Sequence, residues 1–256
     1  MKGASDPAGG NADRPVLILG AGSDMARALA HKLAARGHPI DLAGRDPAAL
    51  ERDRTDLALR HGVPARTHRF DALEADGGAG ALLAALPALP RIVICAVGLL
   101  GDTEADRADP ARARLIIDTN FTGPALALEA IAAALHAGGA PSAVIAIGSV
   151  AGDRGRARNY VYGAAKAGFA AYLSGMRQVY ARSAVHVLTV RPGFVATAMT
   201  EGMDLPAPLV LSAEAMARGI LRSLDRGAQG YCPLRWRIVM ALVRALPEAV
   251  FMKLRF

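Results

Sequence analysis

From Val16 onward the chain alternates short β-branched runs with longer Ala- and Leu-rich helical patterns, and few architectures accept that order. The strand candidates are VLILG (16–20), IDLAG (40–44), ARTHRF (65–70), RIVICAV (91–97), SAVIAIG (142–148) and AVHVLTV (184–190). Amphipathic stretches such as SDMARALAHKLAARG and PAALERDRTDLALRHG lie between them. Repeated βαβ units of this kind predict an α/β fold: a single doubly wound parallel sheet of Rossmann type with helices on both faces. The runs 92–97 and 143–147 are nearly all apolar, as a sheet buried on both sides requires. Ligands of such sheets bind beyond the C-terminal strand ends, so the informative residues are those just after each strand.

A chain of 256 residues, 52% of them hydrophobic, suits one core and one domain, expected over 15–231. Residues 1–14 lack the apolar stretch of a secretory leader and read as a flexible arm. Residues 232–256 read as a basic amphipathic helical tail. No uncharged apolar run reaches the roughly 18 residues of a spanning helix. Two cysteines, Cys95 and Cys232, fit neither a disulfide framework nor a metal-ligand spacing, so a reducing cytoplasm is the simplest setting and no metal is expected. A net charge of +7 suits nucleic acid, a phosphorylated substrate or an anionic membrane surface alike. Aromatic residues make up only 5% of the chain, too few for the stacking surface of a nucleic-acid site, and no nucleic-acid partner is expected.

The first strand runs into GAGSDMARALA, where Gly20 and Gly22 open a helix. Small residues there let backbone approach a pyrophosphate held at the helix N-terminus. The loop is not a regular G-x-G-x-x-G, since Asp24 and Ala26 stand where glycine is expected, and an ordinary strand-to-helix turn is the alternative. After the second strand, Arg45 in GRD can accept the 2′-phosphate of NADP, where an acidic residue would select NAD. The alternative for Arg45 is a solvated pair with Asp46. Asp71, closing the third strand, can accept from an adenine amino group or simply cap a helix.

Of 30 Lys and Arg residues only four are lysine: Lys2, Lys32, Lys166 and Lys253. Lys166 lies in SVAGDRGRARNYVYGAAKAG (149–168), four residues after Tyr162, so both share one helix face. An ammonium near a phenol lowers the tyrosine pKa from about 10 toward working pH. Ser149 ends the fifth strand and can point a hydroxyl into the same crevice. Tyr160 points elsewhere. By its position after the fifth strand of a nucleotide-binding pattern, this set resembles the short-chain dehydrogenase/reductase family. Gly20, Gly22, Asp71, Gly98, Asn120 in DTNFTG, Ser149, Tyr162, Lys166 and RPGFVAT (191–197) carry the resemblance, which spans about 15–225.

The resemblance implies Tyr162 as general acid/base and Lys166 on the nicotinamide ribose, lowering the tyrosine pKa. It implies Ser149 at the substrate carbonyl and Asn120 holding a water. Cofactor contacts are implied at Gly20, Gly22, Ser23, Asp24, Met25, Arg45, Asp71, Ala72 and Gly98, and at Pro192, Gly193, Val195 and Thr197 beside the nicotinamide. The cofactor is NADP by the Arg45 argument, with NAD as the alternative. The family's Asn-Asn-Ala-Gly after strand four is here CAVG (95–98), so only Gly98 remains of it.

Three segments, 97–106, 151–163 and 232–256, are similar to a narrower group, the decaprenylphosphoryl-2-keto-pentose reductases. That resemblance implies reduction of a polyprenyl-phosphate-linked keto-sugar to an arabinose-configured donor, with a flavin oxidase as partner supplying the ketone. Arg154, Arg156 and Arg158 alternate on the loop before Tyr162 and can face one lipid phosphate, or be merely a solvated basic loop. The tail mixes Arg235, Arg237, Arg244, Lys253 and Arg255 with Trp236, Ile238, Val239, Leu242, Val243, Leu246, Val250, Phe251 and Phe256. It fits a helix lying on a membrane surface at the cytoplasmic face, or a segment covering the core or forming a homo-oligomer interface. A reductase of soluble ketones and a non-catalytic nucleotide-binding scaffold are the alternative functions.

Overall fold

The computed structural model describes residues 14–254, and most of the expected N-terminal arm, with Arg255 and Phe256, lies outside them. Arg14 itself is tied down, donating to the carbonyls of Leu89, Pro90 and Pro141 and to Ser142 Oγ at 2.8–3.2 Å.

The expected strands form as β1 (Val16–Leu19), β2 (Ile40–Gly44), β3 (Ala65–Arg69), β4 (Ile92–Cys95), β5 (Ser142–Ile147) and β6 (Val185–Val190). Between them run α1 (Asp24–Ala34), α2 (Glu51–His61), α3 (Ala79–Ala85), α4 (Thr103–Ala108), α5 (Pro110–Ile117), α6 (Gly123–Ala137) and α7 (Tyr160–Tyr180). Beyond β6 come two-residue strands β7 (Val195–Ala196), β8 (Leu211–Ser212) and β9 (Gly230–Tyr231), helix α8 (Ala213–Asp225) and tail helices α9 (Leu234–Ala245) and α10 (Glu248–Phe251). Strands β7 to β9 are too short to carry a periodicity, so no sequence pattern marks them.

The main sheet is parallel, seven-stranded among the described residues, in the order β3-β2-β1-β4-β5-β6-β9. Alternation along each strand sorts the core into two layers. Val16 and Ile18 of β1, with Ile92 and Ile94 of β4, face α1, α2 and α8 through Leu29, Leu33, Leu57, Met216 and Ile220. Leu17 and Leu19, with Val93 and Cys95, face α3, α6 and α7 through Leu82, Leu128, Ile131, Phe169 and Leu173. Burying each such side chain is worth about 1.5–3 kcal/mol, which is why the all-apolar strands occupy the sheet centre. Strand order reverses between β1 and β4, and a crevice opens where the loops after them diverge.

The tail does not stand apart. Trp236 and Met240 of α9 are buried with Val150, and Phe194, Leu209, Val239 and Val243 pack against them. Among the described residues no helix is long and apolar enough to cross a membrane.

Candidate active site

At the strand-order reversal lies a cleft of about 460 Å³. Gly20, Gly22 and Ser23 of the first turn line it, together with Arg45 and Asp46 after β2, Asp71 and Ala72 after β3, and Gly98 after β4. Gly20 has φ +74°, and a Cβ there would stand 3.0 Å from Val97 N, so this turn accepts only glycine without displacing the β4 loop. Ser23 caps α1, its Oγ accepting from Ala26 N at 3.2 Å. At the far end Asp46 Oδ1 accepts from Ala48 N at 2.9 Å, capping the next turn instead of pairing with Arg45. Arg45 is exposed and makes no ion pair among the described residues. Asp71 serves the local turn with one oxygen, Oδ1 accepting from Leu73 N at 3.0 Å, while the residue still borders the cleft.

Two residues expected at the cofactor direct their side chains elsewhere. Asp24 turns its carboxylate to Ala198 N, 2.8 Å away, and to Arg27 at 3.4 Å, so it pins the loop after β7 to the start of α1. Met25 packs against the core. Neither borders the cleft. Both follow from helix geometry: positions one and two residues past the cap point away from the turn that Gly20 and Gly22 open.

The catalytic candidates meet at the ends of β4 and β5. Ser149 follows β5 in extended conformation, and its Oγ accepts from Ala151 N at 3.0 Å, capping a 3₁₀ turn over Val150–Asp153. That turn packs on the start of α7 so closely that a Cβ on Gly163 would come 2.9 Å from Ala151 O. The result is that the Ser149 hydroxyl stands beside the Tyr162 phenol, close enough to act on its pKa. Tyr160 is largely exposed, as its offset on the helix requires.

Lys166 is only 3% exposed. Its ammonium donates to Ile147 O at 3.3 Å and Val97 O at 3.5 Å, and lies 5.8 Å from the Tyr162 ring centroid. Burial pulls its pKa from 10.5 to about 8. The phenol behaves differently from the sequence-based expectation: burial pushes Tyr162 above its ordinary value, and the Ser149 hydrogen bond is what opposes this. Lys166 aims at strand-end carbonyls, so its field does not reach the phenol strongly enough to lower it.

Asn120 is fully buried in a π-helical turn, Asp118–Thr122, between α5 and α6. Its amide donates to Leu99 O at 2.7 Å and Ile116 O at 2.9 Å, and its Oδ1 accepts from Leu99 N at 3.2 Å. This double bond to Leu99 staples the loop after β4. A Cβ on Gly98 would stand 3.2 Å from Asn120 Oδ1 and 3.5 Å from Lys166 Nζ, which explains why glycine survives where the rest of the family's tetrad is replaced. In place of the first asparagine, Cys95 is buried and its thiol is pushed up by burial. Among the described residues no group of His, Cys, Asp and Glu is arranged to hold a metal.

The loop after β6 joins the crevice because Val150 N donates to Pro192 O at 2.9 Å. Val195 is buried, and Thr197 caps the turn at 198–200. Gly193 is the contact point of the tail: a Cβ there would lie 1.9 Å from Trp236. The Trp236 indole stacks edge-on against Phe194, with centroids 4.9 Å apart, and donates to Leu209 O at 2.9 Å. The tail therefore packs on the loops after β5 and β6, and Trp236, the sole tryptophan, is buried there. Its singularity was the one available signal, and it named no partner.

The three loop arginines do not act together as the sequence suggested. Arg154 donates to Val243 O and Leu246 O at the C-terminus of α9, pairs with Glu248 at 2.7 Å and lies 3.8 Å over the Phe251 ring. Its guanidinium is spent on holding the tail. Arg158 is exposed, and its carbonyl accepts from Thr103 at the start of α4. Arg156 is half-buried, with an Nε that has no hydrogen-bond partner.

Comparison with known proteins matches residues 14–206 to the family model described as short chain dehydrogenase. An uncharacterised oxidoreductase of Mycobacterium tuberculosis is 36% identical over 243 residues, covering 94% of this chain and 96% of the relative. A short-chain dehydrogenase from Sphingobium yanoikuyae, solved in complex with NADPH, superposes with TM-score 0.75 at 24% identity, covering 92% of this chain and 97% of that one. One from Burkholderia cenocepacia, in complex with NADP, gives 0.77 at 21%, covering 94% and 96%.

Proposed function

The chain belongs to the short-chain dehydrogenase/reductase family and is an oxidoreductase, and from that premise we propose an NADPH-dependent ketoreductase acting on a polyprenyl-phosphate-linked 2-keto-pentose. The observation that carries the ketoreductase reading is the convergence of Ser149, Tyr162 and Lys166, with Lys166 next to Gly98 of the cleft.

The residues present fit a nicotinamide dinucleotide. Gly20 and Gly22 leave room for a pyrophosphate at the N-terminus of α1, and Arg45, free of ion pairs among the described residues, suits a 2′-phosphate, favouring NADP over NAD. When bound, NADPH supplies the hydride for the carbonyl carbon. Ser149 Oγ and the neighbouring Tyr162 hydroxyl orient the carbonyl oxygen between them. Tyr162 donates its proton to that oxygen as the alcohol forms. Burial favours this direction, because a phenol held above its ordinary pKa carries its proton at neutral pH. Lys166 holds the ribose, and Asn120 keeps the Leu99 loop in place behind it.

The lipid-linked substrate is supported by the outer face of the tail. Leu234, Ile238 and Leu242 are exposed at helical spacing, and Arg235, Arg237 and Arg244 flank them. Such a face suits an anionic lipid surface, where a polyprenyl substrate resides. A flavin oxidase that makes the ketone is the matching partner, and a homo-oligomer is compatible with the same assembly. The test is NADPH oxidation by the purified protein with the polyprenylphosphoryl 2-keto-pentose in detergent, with NADH in parallel. No oxidation of either sinks the assignment. Replacing Leu234, Ile238 and Leu242 by serine should lower activity on vesicle-embedded substrate and spare a soluble ketone. Unchanged activity on both would favour a reductase of soluble ketones.

A further inference from the structure

The segment between Ser149 and Tyr162 is strung between two anchors. Arg154 fastens one end to the tail, and the Arg158 carbonyl fastens the other to Thr103 of α4. Between them Asn159 N donates to Arg156 O at 3.1 Å, so Arg156 and Asn159 sit in one turn at the entrance of α7.

Both carry unused polar atoms. Arg156 Nε and Asn159 Oδ1 are buried without a hydrogen-bond partner. No carboxylate among the described residues forms an ion pair with Arg156; Asp153, the acidic group it faces, pairs with Arg191 at 3.2 Å. Asn159 occupies the cap position of the 21-residue helix α7, yet its side chain makes no capping bond. An asparagine there would ordinarily satisfy one of the first N–H groups, so the N-terminus of α7 is left without its side-chain cap in the turn that Arg156 shares. A half-buried guanidinium that forms no ion pair among the described residues and an uncapped helix end are both stabilised by the same ligand, an anion.

We infer that Arg156, Asn159 and the N-terminus of α7 form the subsite for a phosphate on the ketone substrate, with Arg156 the residue that selects phosphorylated over neutral ketones. This rests on the reading of the crevice as a ketoreductase site and revises which arginine serves it: Arg154 is structural and Arg156 selects. Tyr162 stands three residues into α7, so a phosphate seated there places its ketone one turn from the proton donor. A hydroxyl next to the phosphate has Asn159 Oδ1 as acceptor.

The first experiment needs no turnover. The full chain is melted with and without inorganic phosphate, as wild type, Arg156→Met and Arg156→Lys, with Arg182→Ala, an exposed arginine past the end of α7, as charge control. Without phosphate, Arg156→Met should melt at or above the wild-type temperature, because it removes a cation that has no partner. Phosphate should raise the wild-type and Arg182→Ala midpoints, raise Arg156→Lys less, and leave Arg156→Met unmoved. A lower midpoint for Arg156→Met without phosphate marks Arg156 as structural and overturns the proposal, as does an equal phosphate response in all four proteins.

The second experiment compares kcat/KM for dihydroxyacetone phosphate, dihydroxyacetone and the lipid-linked ketone. Arg156→Met should lose on the order of 100-fold on a phosphate-bearing ketone and less than about 3-fold on the neutral one. Loss on the lipid-linked ketone alone identifies the headgroup phosphate as the source, and loss on both phosphorylated ketones identifies phosphate in general. Equal loss on all three overturns the selecting role. Absence of turnover with every ketone defeats the ketoreductase reading instead, and the melting experiment still decides the anion site.

Discussion

Two stretches of this chain carry arginines expected to serve a ligand, and the fold uses them in opposite ways. At the end of β2, Arg45 is exposed beside a glycine-walled cleft, and its acidic neighbour Asp46 is occupied with its own turn. In the loop before α7, Arg154 is bound to two carbonyls, a carboxylate and a ring of the tail. A cation next to a site is available to a ligand only when no backbone carbonyl or carboxylate has claimed it. The cofactor end is built by local turns and keeps its charges free. The loop before α7 packs against a tail brought back from the far end of the chain, and part of its charge goes to holding that tail.

The contrast sharpens most at Tyr162. Tyr162→Phe should reduce kcat by about 10³-fold or more, while NADPH binding, followed by fluorescence titration, stays within a few-fold of wild type. Surviving turnover would move the proton donor elsewhere. The tail contact comes next in size. Trp236→Ala should cost about 3–5 kcal/mol in urea unfolding, since the indole fills the space over Gly193. A loss under about 1 kcal/mol would mean that the tail is an appendage after all, and the two regions would no longer differ in construction.

Lys166 offers a pH test. Its folded pKa, about 8, lies below the ordinary 10.5, so the unfolded chain binds more protons between those values and stability rises with pH across that window. The penalty is complete below pH 8. Lys166→Met should therefore be more stable than wild type by about 3 kcal/mol at pH 7, with the difference gone by about pH 11, and it should be inactive. A pH-independent difference would locate the effect in packing.

Smaller effects separate the two arginines directly. Arg154→Ala should cost about 2 kcal/mol and make the chain after Leu246 sensitive to limited proteolysis, with KM for substrate rising only as the crevice wall loosens. A rise in KM without any loss of stability would return Arg154 to the substrate. Arg45→Ala should raise KM for NADPH by roughly 10-fold and leave NADH unchanged, because a single charge-assisted contact is at stake. Equal effects on both cofactors would remove the 2′-phosphate assignment.

Legibility followed the range of the interaction. β1, β2, β4 and β5 were readable because alternate side chains of each face two apolar layers, a pattern written within a few consecutive residues. Ser149, Tyr162 and Lys166 were readable because a strand end and a four-residue helix spacing place them together. The partner of the Asp24 carboxylate was not legible because Ala198 N is 174 residues away. Strands β7 and β8 were invisible because two residues have no period, and only their pairing at Val195 and Leu211 creates them.

Residue order and side-chain chemistry alone therefore specify the layered sheet, the glycine turn and the serine, tyrosine and lysine set, since each depends on neighbours within one helix turn or one strand. Folding decides the tone of the site: that burial raises the Tyr162 phenol and lowers the Lys166 ammonium, that Trp236 closes the crevice over Gly193, and that Arg154 is spent while Arg156 is not. Burial, desolvation and the pairing of charges depend on what arrives from distant parts of the chain, and no local pattern records that.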